Sequence, residues 1–470
     1  MSDRRQSGAP QPLPGESVES RRRLVVGLGL SGRAIARYLH QRGAPFSLAD
    51  TRDAPPGLDA FRAAYPQVDV HLGGLEGLDL DAFDEIVVSP GVDTAQAGFD
   101  RVRSRLMGEI ELFVRECRVP IVAITGSNAK STVTTLVGEM LDEAGIRVAV
   151  GGNLGEPALD LLLDRPDAEC FVLELSSFQL ESLRRLGAFC AAFLNLSPDH
   201  LDRHGDIDGY RAAKARIFGG ARHAVVNADD AATWPETRGV GTHVSDVVTF
   251  SVGVPAPGQW GVVPATSGVP AWLARGDARL MPVDELALVG RHHFANALAA
   301  AAIAETLDVP WAAMRRVLAR FRGLAHRGEL IVERAGVRWI NDSKGTNVGA
   351  TLAAIDGVGG SLTGRLIWLG GGVGKGADFA PLAEPLGRYA REAILFGEDA
   401  ARLASAVGER VATRRVATLQ EAMRRAASIA EPGDCVLLSP ACASLDQFPN
   451  YMARGDAFRD VLERGEESAC

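Results

Sequence analysis

One heptapeptide of this chain has the residue types that bind nucleotide phosphates, namely Gly126, Ser127, Asn128, Ala129, Lys130, Ser131 and Thr132. Its small residues suit a tight turn whose backbone N–H groups face an anion, Lys130 can reach terminal phosphates, and the Ser131 hydroxyl can bind Mg²⁺. The strict phosphate-loop pattern has glycine where this chain has Ile124 and Ala129. An ordinary strand-to-helix turn with a surface lysine is therefore the alternative interpretation.

A second glycine-rich turn lies near the start of the chain. Gly27, Gly29 and Gly32 follow a short apolar strand with G-x-G-x-x-G spacing. Asp50 ends the next predicted strand, 18 residues past Gly32. This arrangement is the fingerprint of dinucleotide-binding folds. It supports an NAD-dependent dehydrogenase as one hypothesis, and a merely tight turn is the alternative.

Ionisable residues follow two later strand-like segments. Glu174 ends an apolar run downstream of the phosphate-loop pattern, where proteins often bind Mg²⁺. A strand-end acid that faces water is the alternative. His200 is one of several ionisable residues at another strand exit, which suggests a site or a solvated loop. Lys214 lies on an amphipathic helical pattern, and this pattern by itself predicts only that the lysine is at the surface.

The elements that must position these residues alternate between strand-like and helix-like patterns along the chain. Such alternation predicts parallel sheets with helices on both faces and ligands at the carboxyl ends of the strands. The fold class that we predict is α/β with three domains: a Rossmann-like N-terminal domain, a central P-loop ATPase domain with a parallel sheet, and a Rossmann-like C-terminal domain. Their predicted bounds are 21–110, 111–322 and 323–470, after a disordered lead at 1–20 and with a small β excursion at 240–285.

The composition narrows the class of protein. The 470 residues are too many for one core, and about 150 residues per domain suggests three domains. A net charge of −9 argues against a nucleic-acid partner. Six cysteines are scattered without a CxxC pair, as expected for reduced cytosolic thiols. The chain has no apolar run long enough to span a membrane and no signal-peptide core in its polar lead, so we expect a cytoplasmic protein without membrane insertion. Separately, we expect a monomer.

Five separated blocks resemble the Mur ligases of peptidoglycan synthesis, at residues 126–132, 173–181, 210–214, 341–344 and 439–448. The resemblance extends from about Leu24 to Phe458 and is most specific for members that join glutamate to UDP-N-acetylmuramoyl-L-alanine. It implies that the carboxylate of that substrate attacks the γ-phosphate of ATP, and that the glutamate amine then displaces phosphate from the acyl phosphate. A folylpolyglutamate-synthase-like ligase is the nearest rival, but it would not explain the first glycine-rich turn.

The resemblance also implies roles for the matching residues. Lys130, Glu174, His200 and Lys214 would be catalytic. One Mg²⁺ ion would be held by Ser131 and Glu174, and a second by His200 and a carbamate on Lys214. ATP would contact residues 126–132 together with Asn296, Arg327, Asp342 and Lys344. The UDP end of the substrate would contact Leu30, Ser31, Asp50, Thr51 and Arg52, and its muramoyl-alanine would contact Asn153, Ser176 and Gln179. Glutamate would contact Thr346, Lys375, Ser444, Leu445 and Tyr451.

This chain departs from the family pattern at five positions. Ala129 replaces a glycine, and His293 stands where an asparagine is usual on the ATP side. Gly328, Gly345 and Tyr451 replace the usual phenylalanine, alanine and phenylalanine around the amino-acid pocket. The stereochemistry of glutamate is therefore open between the D-adding enzymes and a subfamily that adds L-glutamate. The dehydrogenase and a nucleotide-gated binding module without chemistry are the hypotheses from other classes.

Overall fold

A computed structural model describes residues 21–95, 98–235, 244, 246–288, 292–360 and 362–467, so the predicted lead at 1–20 lies outside the described part of the chain. The described residues form three sheets, each with helices packed against it, which confirms the predicted α/β class with three domains. None of the described helices has both the length and the apolar character needed to cross a membrane.

The N-terminal sheet is parallel and carries the first glycine-rich turn. Its strands are β1 (Arg23–Val26), β2 (Phe46–Asp50), β3 (Val70–Leu72), β4 (Glu85–Val88) and β5 (Leu106–Gly108), in the order β3-β2-β1-β4-β5. Its helices are α1 (Leu30–Gln41) and α2 (Leu58–Ala64). Ser31 and Gly32 lie in the first turn of α1.

The central sheet carries the phosphate-loop pattern. It contains β6 (Ile121–Thr125), β7 (Val148–Gly152), β8 (Cys170–Glu174), β9 (Cys190–Phe193), β10 (His223–Asn227), β11 (Asp246–Phe250), β12 (Trp260–Val263), β13 (Trp272–Arg275) and β14 (Ala278–Pro282). The order is β14-β13-β12-β11-β10-β9-β6-β8-β7, and β13 is antiparallel to both neighbours. The predicted β excursion at 240–285 is part of this sheet, because β11 pairs in parallel with β10.

Helices cover both faces of the central sheet. They are α3 (Glu109–Glu116), α4 (Lys130–Glu143), α5 (Ala158–Asp164), α6 (Ser177–Glu181), α7 (Leu201–His204), α8 (Ile207–Ala215), α9 (His292–Thr306) and α10 (Trp311–Arg320). The phosphate-loop helix α4 packs against the alanine-rich α9. Residues 299–302 of α9 are buried alanines, whose small side chains let the two helices approach closely.

The C-terminal sheet brings three loops to one edge. Its strands are β15 (Glu329–Arg334), β16 (Val337–Asn341), β17 (Leu366–Gly371), β18 (Ala390–Phe396), β19 (Ala412–Arg415) and β20 (Cys435–Leu438), in the order β15-β16-β20-β17-β18-β19. Its helices are α11 (Val348–Gly359), α12 (Ala383–Tyr389), α13 (Ala400–Val407), α14 (Leu419–Ile429) and α15 (Tyr451–Glu467). Because β16, β20 and β17 are adjacent and parallel, the loops that follow them meet at their carboxyl ends.

Candidate active site

A cavity of about 670 Å³ lies between the central and C-terminal domains. Its lining includes the residues predicted to contact ATP, muramoyl-alanine or glutamate, with Gly126 and Gln179 as the exceptions. The five residues predicted at the UDP end lie apart from this cavity, in the N-terminal domain: Leu30, Ser31, Asp50, Thr51 and Arg52. The fold therefore brings most of the predicted site residues together and leaves one group elsewhere.

The phosphate-loop pattern forms the turn between β6 and α4. Ala129 has a φ of 65°, in the left-handed region, and α4 begins at the next residue, Lys130. The Lys130 Nζ donates to the carbonyl oxygens of Gly126 at 2.8 Å and Ser127 at 3.0 Å. Burial lowers the pKa of Lys130, and the charge of Glu174 opposes this shift. A phosphate at this turn would offer the amine a better partner than neutral carbonyl groups.

The Ser131 hydroxyl connects the turn to a carboxylate and to the C-terminal domain. It donates to Oε2 of Glu174, at the end of β8, and accepts a hydrogen bond from Nη2 of Arg327 at 2.6 Å. Nδ2 of Asn153 donates to the other carboxylate oxygen at 2.7 Å. Burial acts to raise the pKa of Glu174, but the charge of Lys130 and these hydrogen bonds lower it overall. Glu174 is therefore held ionised beside the loop.

Lys214 lies inside the cavity wall, not on the surface that its helix pattern indicated. Its side chain is buried, its Nζ donates to the Gly126 carbonyl oxygen at 2.8 Å, and Nζ lies 4.5 Å from the centre of the Tyr210 ring. Burial and the charge of Lys130 lower the pKa of Lys214 well below its usual range. Burial thus destabilises the charged form of this amine relative to the neutral form, which is the reactive form of lysine.

His200 faces the cavity from the loop after β9. Its φ of 54° is an uncommon backbone conformation for a residue with a Cβ atom. Nε2 lies 3.7 Å from Oδ2 of Asp199, and the ring packs against Phe178 with centroids 4.9 Å apart. Burial lowers the pKa of His200, although Asp199 acts to raise it. The neutral imidazole, the form that binds metal ions, is therefore favoured.

The C-terminal domain supplies the opposite wall. Asp342 accepts hydrogen bonds from the Ser439 hydroxyl at 2.6 Å and from the Gly328 N–H at 3.1 Å, and burial raises its pKa to about 7. Burial, with neighbouring cations, lowers the pKa of Lys344 to about 8. The Lys344 Nζ lies 4.3 Å from the centre of the Tyr451 ring, so an aromatic face partly replaces water around this amine.

The residues predicted to hold glutamate follow the three adjacent strands of the C-terminal sheet. Thr346 follows β16, Lys375 follows β17, and Ser444 and Leu445 follow β20, while Tyr451 begins α15. Lys375 is exposed, Ser444 is buried, and Leu445 exposes 67% of its surface. This wall presents a cation, hydroxyl groups and an apolar side chain, which suits a small anionic molecule.

Two asparagines at the site were missed in the sequence. Oδ1 of Asn195 accepts the N–H of Asn128 at 2.8 Å and so shapes the phosphate-loop turn. Asn347, the N-cap of α11, donates to Oδ1 of Asn128 at 3.2 Å and to Oδ2 of Asp199 at 3.1 Å. The contacts of Asn347 and the bond between Arg327 and Ser131 join the two walls. An asparagine directly before a helical pattern was the available signal for the cap, but not for its partners.

Gly126 and Gln179, the two predicted residues that do not line the cavity, have local roles. The Gly126 carbonyl oxygen accepts hydrogen bonds from Lys130 and Lys214, which holds both amines at the turn. Gln179 and Ser176 form a capping box at the start of α6, in which Oε1 of Gln179 accepts the Ser176 N–H at 2.9 Å. The predicted contact of Gln179 with substrate stays a prediction.

Asp50 organises the first glycine-rich turn. Its Oδ2 accepts the Leu28 N–H at 2.7 Å, and the Arg52 guanidinium donates to both carboxylate oxygens at 2.8 Å. Burial acts to raise the pKa of Asp50, but these hydrogen bonds lower it to about 2. The side chain of Leu30 is 66% exposed at the start of α1, so this turn is open to a ligand.

All four lysines of the chain line the cavity between the central and C-terminal domains. Lysine occurs at positions 130, 214, 344 and 375, although the sequence contains 50 Lys and Arg residues. Arginine can replace lysine where only a surface charge is needed, whereas a compact point charge or a titratable amine requires lysine. This restriction of lysine to one cavity marks the site independently of any motif, although the motifs alone did not reveal it.

Three family models match successive parts of the chain. The Mur ligase MurD-like N-terminal domain matches residues 21–108, the Mur ligase middle domain matches 124–304, and the Mur ligase glutamate ligase domain matches 326–442. The chain belongs to the Mur ligase family. Within that family it is 63% identical over 453 residues to the UDP-N-acetylmuramoylalanine–D-glutamate ligase of Chromohalobacter salexigens, covering 95% of this chain and 98% of that relative.

Two solved structures share the fold. UDP-N-acetylmuramate-alanine ligase from Thermotoga maritima has a TM-score of 0.57 at 17% identity and covers 95% of this chain and 100% of its own. Folylpolyglutamate synthase from Mycobacterium tuberculosis has a TM-score of 0.53 at 16% identity and covers 72% of this chain and 91% of its own. These identities show the fold alone. The family assignment confirms the resemblance seen in the sequence and argues against the dehydrogenase.

Proposed function

We propose that the chain is an ATP-dependent ligase that joins D-glutamate to UDP-N-acetylmuramoyl-L-alanine in peptidoglycan precursor synthesis. The observation that carries the proposal is the group of cations around one cavity. Lys130, Lys344 and Arg327 share it, and the pKa values of both lysines are lowered by burial and, in part, by the neighbouring positive charge. A triphosphate would relieve this repulsion. The name of the 63%-identical relative supports the substrate and the D configuration.

The chemistry requires a better leaving group than a carboxylate provides. The carboxylate oxygen of muramoyl-alanine attacks the γ-phosphorus of ATP, ADP leaves, and an acyl phosphate forms. The glutamate amine then attacks the acyl carbon, phosphate leaves with the former carboxylate oxygen, and the amine loses a proton. Lys130 would offset charge on the transferring phosphoryl group, and Arg327 would do so from the C-terminal domain.

The donor groups fit two Mg²⁺ ions. Ser131 and Glu174 place a hydroxyl and a carboxylate oxygen side by side, which are ligand types that Mg²⁺ prefers. A neutral His200 would hold a second ion with a carbamate on Lys214, and a carbamate forms only on a deprotonated amine. Among the described residues no group of three or more His, Cys, Asp and Glu could hold a metal, so phosphate oxygens and water would complete the coordination. The ions would neutralise phosphate charge.

The first glycine-rich turn would hold the UDP end of the substrate. The start of α1 favours an anion; Leu30 and Ser31 begin this helix, and Thr51 and Arg52 follow β2, the neighbour of β1 in the sheet. The bounds 21–110, 111–322 and 323–470 would then correspond to UDP-binding, ATP-binding and glutamate-binding domains. Because ATP and UDP-sugars are cytoplasmic compounds, we place the reaction in the cytoplasm.

A three-substrate assay tests the proposal. Purified protein is incubated with Mg²⁺, ATP and UDP-N-acetylmuramoyl-L-alanine, with D-glutamate or L-glutamate in separate reactions, and phosphate release and product mass are measured. We expect product with D-glutamate, and none when UDP-N-acetylmuramate without alanine replaces the acceptor. Product in the L-glutamate reaction and none in the D-glutamate reaction would overturn the proposed D configuration. No product in either reaction would overturn the proposed ligase activity.

A further inference from the structure

Glu109 is a buried carboxyl outside the proposed catalytic cavity. It is the first residue of α3, directly after β5, and only 1% of its surface is exposed. Its Oε1 accepts the Leu159 N–H, in the first turn of α5, at 3.1 Å. Its Oε2 is also buried, and within the described ranges of the chain it has no hydrogen-bond partner. A buried polar atom without a partner is energetically costly, so its presence in a fold calls for an explanation.

The surroundings of Glu109 join two domains. The Ser31 hydroxyl, in the first turn of α1, and the Asp160 carboxylate, in α5, both act electrostatically on the carboxyl. Burial raises the pKa of Glu109 to about 7. The Ser31 hydroxyl opposes this shift, because it donates toward the ionised form of the carboxyl. Farther along α1, Arg37 donates to Asp160 at 2.9 Å and to Asp164 at 2.7 Å, so α1 is tied to α5 at two places.

Glu109 holds the start of α5, and the loop before α5 reaches the proposed phosphoryl-transfer site. Pro157, the N-cap of α5, has no polar side chain, so Glu109 supplies the acceptor that a capping side chain usually provides. The loop before α5 comes from β7 and carries Asn153, whose amide donates to Glu174. Glu109 therefore lies beside the first turn of α1, where UDP is proposed to bind, and holds the start of α5, which follows the loop that carries Asn153.

We propose that Glu109 is a positioning residue that fixes the start of α1 against α5 and so sets the spacing between the UDP turn and the phosphoryl-transfer site. The inference rests on the proposed function. One substrate would have to span both places, because its UDP group and its reacting carboxylate are at opposite ends. Glu109 would act through Ser31 and α5 without touching the reacting atoms.

Two substitutions at this position separate hydrogen bonding from simple volume. Glu109→Gln keeps one acceptor and one donor, as in the protonated acid, whereas Glu109→Ala removes both. We expect Glu109→Ala to raise the KM for UDP-N-acetylmuramoyl-L-alanine about tenfold, with the KM values for ATP and D-glutamate changed less than about twofold. Glu109→Gln should stay within about twofold of wild type in all three. Ser31→Ala should raise the same KM, and its effect should not add to that of Glu109→Ala.

Glu116→Ala is the matched control, because Glu116 lies on the same helix and pairs with Arg42 at the far end of α1, at 3.0 Å. We expect no selective change in KM from it. Equal increases of all three KM values by Glu109→Ala, or an unchanged KM for the UDP substrate, would overturn the inference. Calorimetry with UDP alone keeps the two claims apart. Absence of turnover in the wild type would refute only the proposed function. Weaker UDP binding by Glu109→Ala than by the wild type would still support the positioning role.

Discussion

Two strand–turn–helix units of this chain have the same outline and different side chains. In the first, β1 leads into α1 through a turn with Gly27 at a φ of 96°. In the second, β6 leads into α4 through a turn with Ala129 at a φ of 65°. Each places the positive end of a helix at the carboxyl end of a parallel strand, where an anion is stabilised. The backbone alone therefore predicts two phosphate sites.

The side chains indicate that the first of these two sites suits phosphate binding and that the second suits phosphoryl transfer. At the first turn the charges are already paired, because Asp50 and Arg52 hold each other. At the second turn the Lys130 amine has only carbonyl partners among the described residues, and burial lowers its pKa. The first turn can hold a diphosphate without changing it, while the second has positive charge available for a phosphoryl group in transfer. The following substitutions test this division.

Lys130→Met removes the charge at the second turn and keeps the length of the side chain. We expect kcat to fall about 10³-fold, because the loss of one group that stabilises transition-state charge costs roughly 4 kcal/mol. Phosphate release in the complete reaction measures this, with a thermal unfolding curve to show that the fold is intact. Lys375→Met, in the same cavity, is the control and should raise the KM for glutamate instead. Turnover near wild type in Lys130→Met would remove the phosphate-loop assignment.

Gly32→Ala tests the first turn. A Cβ atom at Gly32 would lie 1.8 Å from the Gly27 carbonyl oxygen, so the turn must shift. We expect a loss of about 3 kcal/mol in the free energy of unfolding, at the upper end of the usual overpacking cost, and a raised KM for the UDP substrate. Gly29→Ala is the matched control, because a Cβ there has no described atom within 4 Å. Urea unfolding of both variants should separate them, and equal stability would refute the steric argument.

The local parts of both units could be predicted from the sequence, and the contacts between domains could not. The turn at Lys130 and the strand end at Glu174 are marked by neighbouring residues. The bond from Arg327 to Ser131 joins positions 196 residues apart, and no periodicity predicts such a pair. The burial of Lys214 was also missed, because an amphipathic pattern shows which face is apolar but not which element covers the other face.

Lys344→Met tests the charge that the C-terminal domain adds to the second turn. The pKa of Lys344 is lowered to about 8, and a phosphate should raise it, so ATP binding above about pH 8 should take up a proton. For the wild type we expect constant ATP affinity below pH 8 and about tenfold weaker binding near pH 9. Lys344→Met should bind about tenfold more weakly below pH 8 and show a smaller decline above it. Calorimetry across this range measures both; an unchanged pH profile would exclude Lys344 as a phosphate ligand.

Ala129→Gly makes the second turn more like the first. A residue with a Cβ atom in the left-handed region costs about 1 kcal/mol relative to glycine, so the substitution should raise the free energy of unfolding by about that amount. Ala335→Gly is the matched control, because Ala335 also has a positive φ, 51°, but lies exposed between β15 and β16. Both variants should be more stable than wild type in urea unfolding. Only Ala129→Gly should also lower the KM for ATP, because only that residue lines the ATP cavity; equal KM values in the two variants would show that strain at this turn does not limit nucleotide binding.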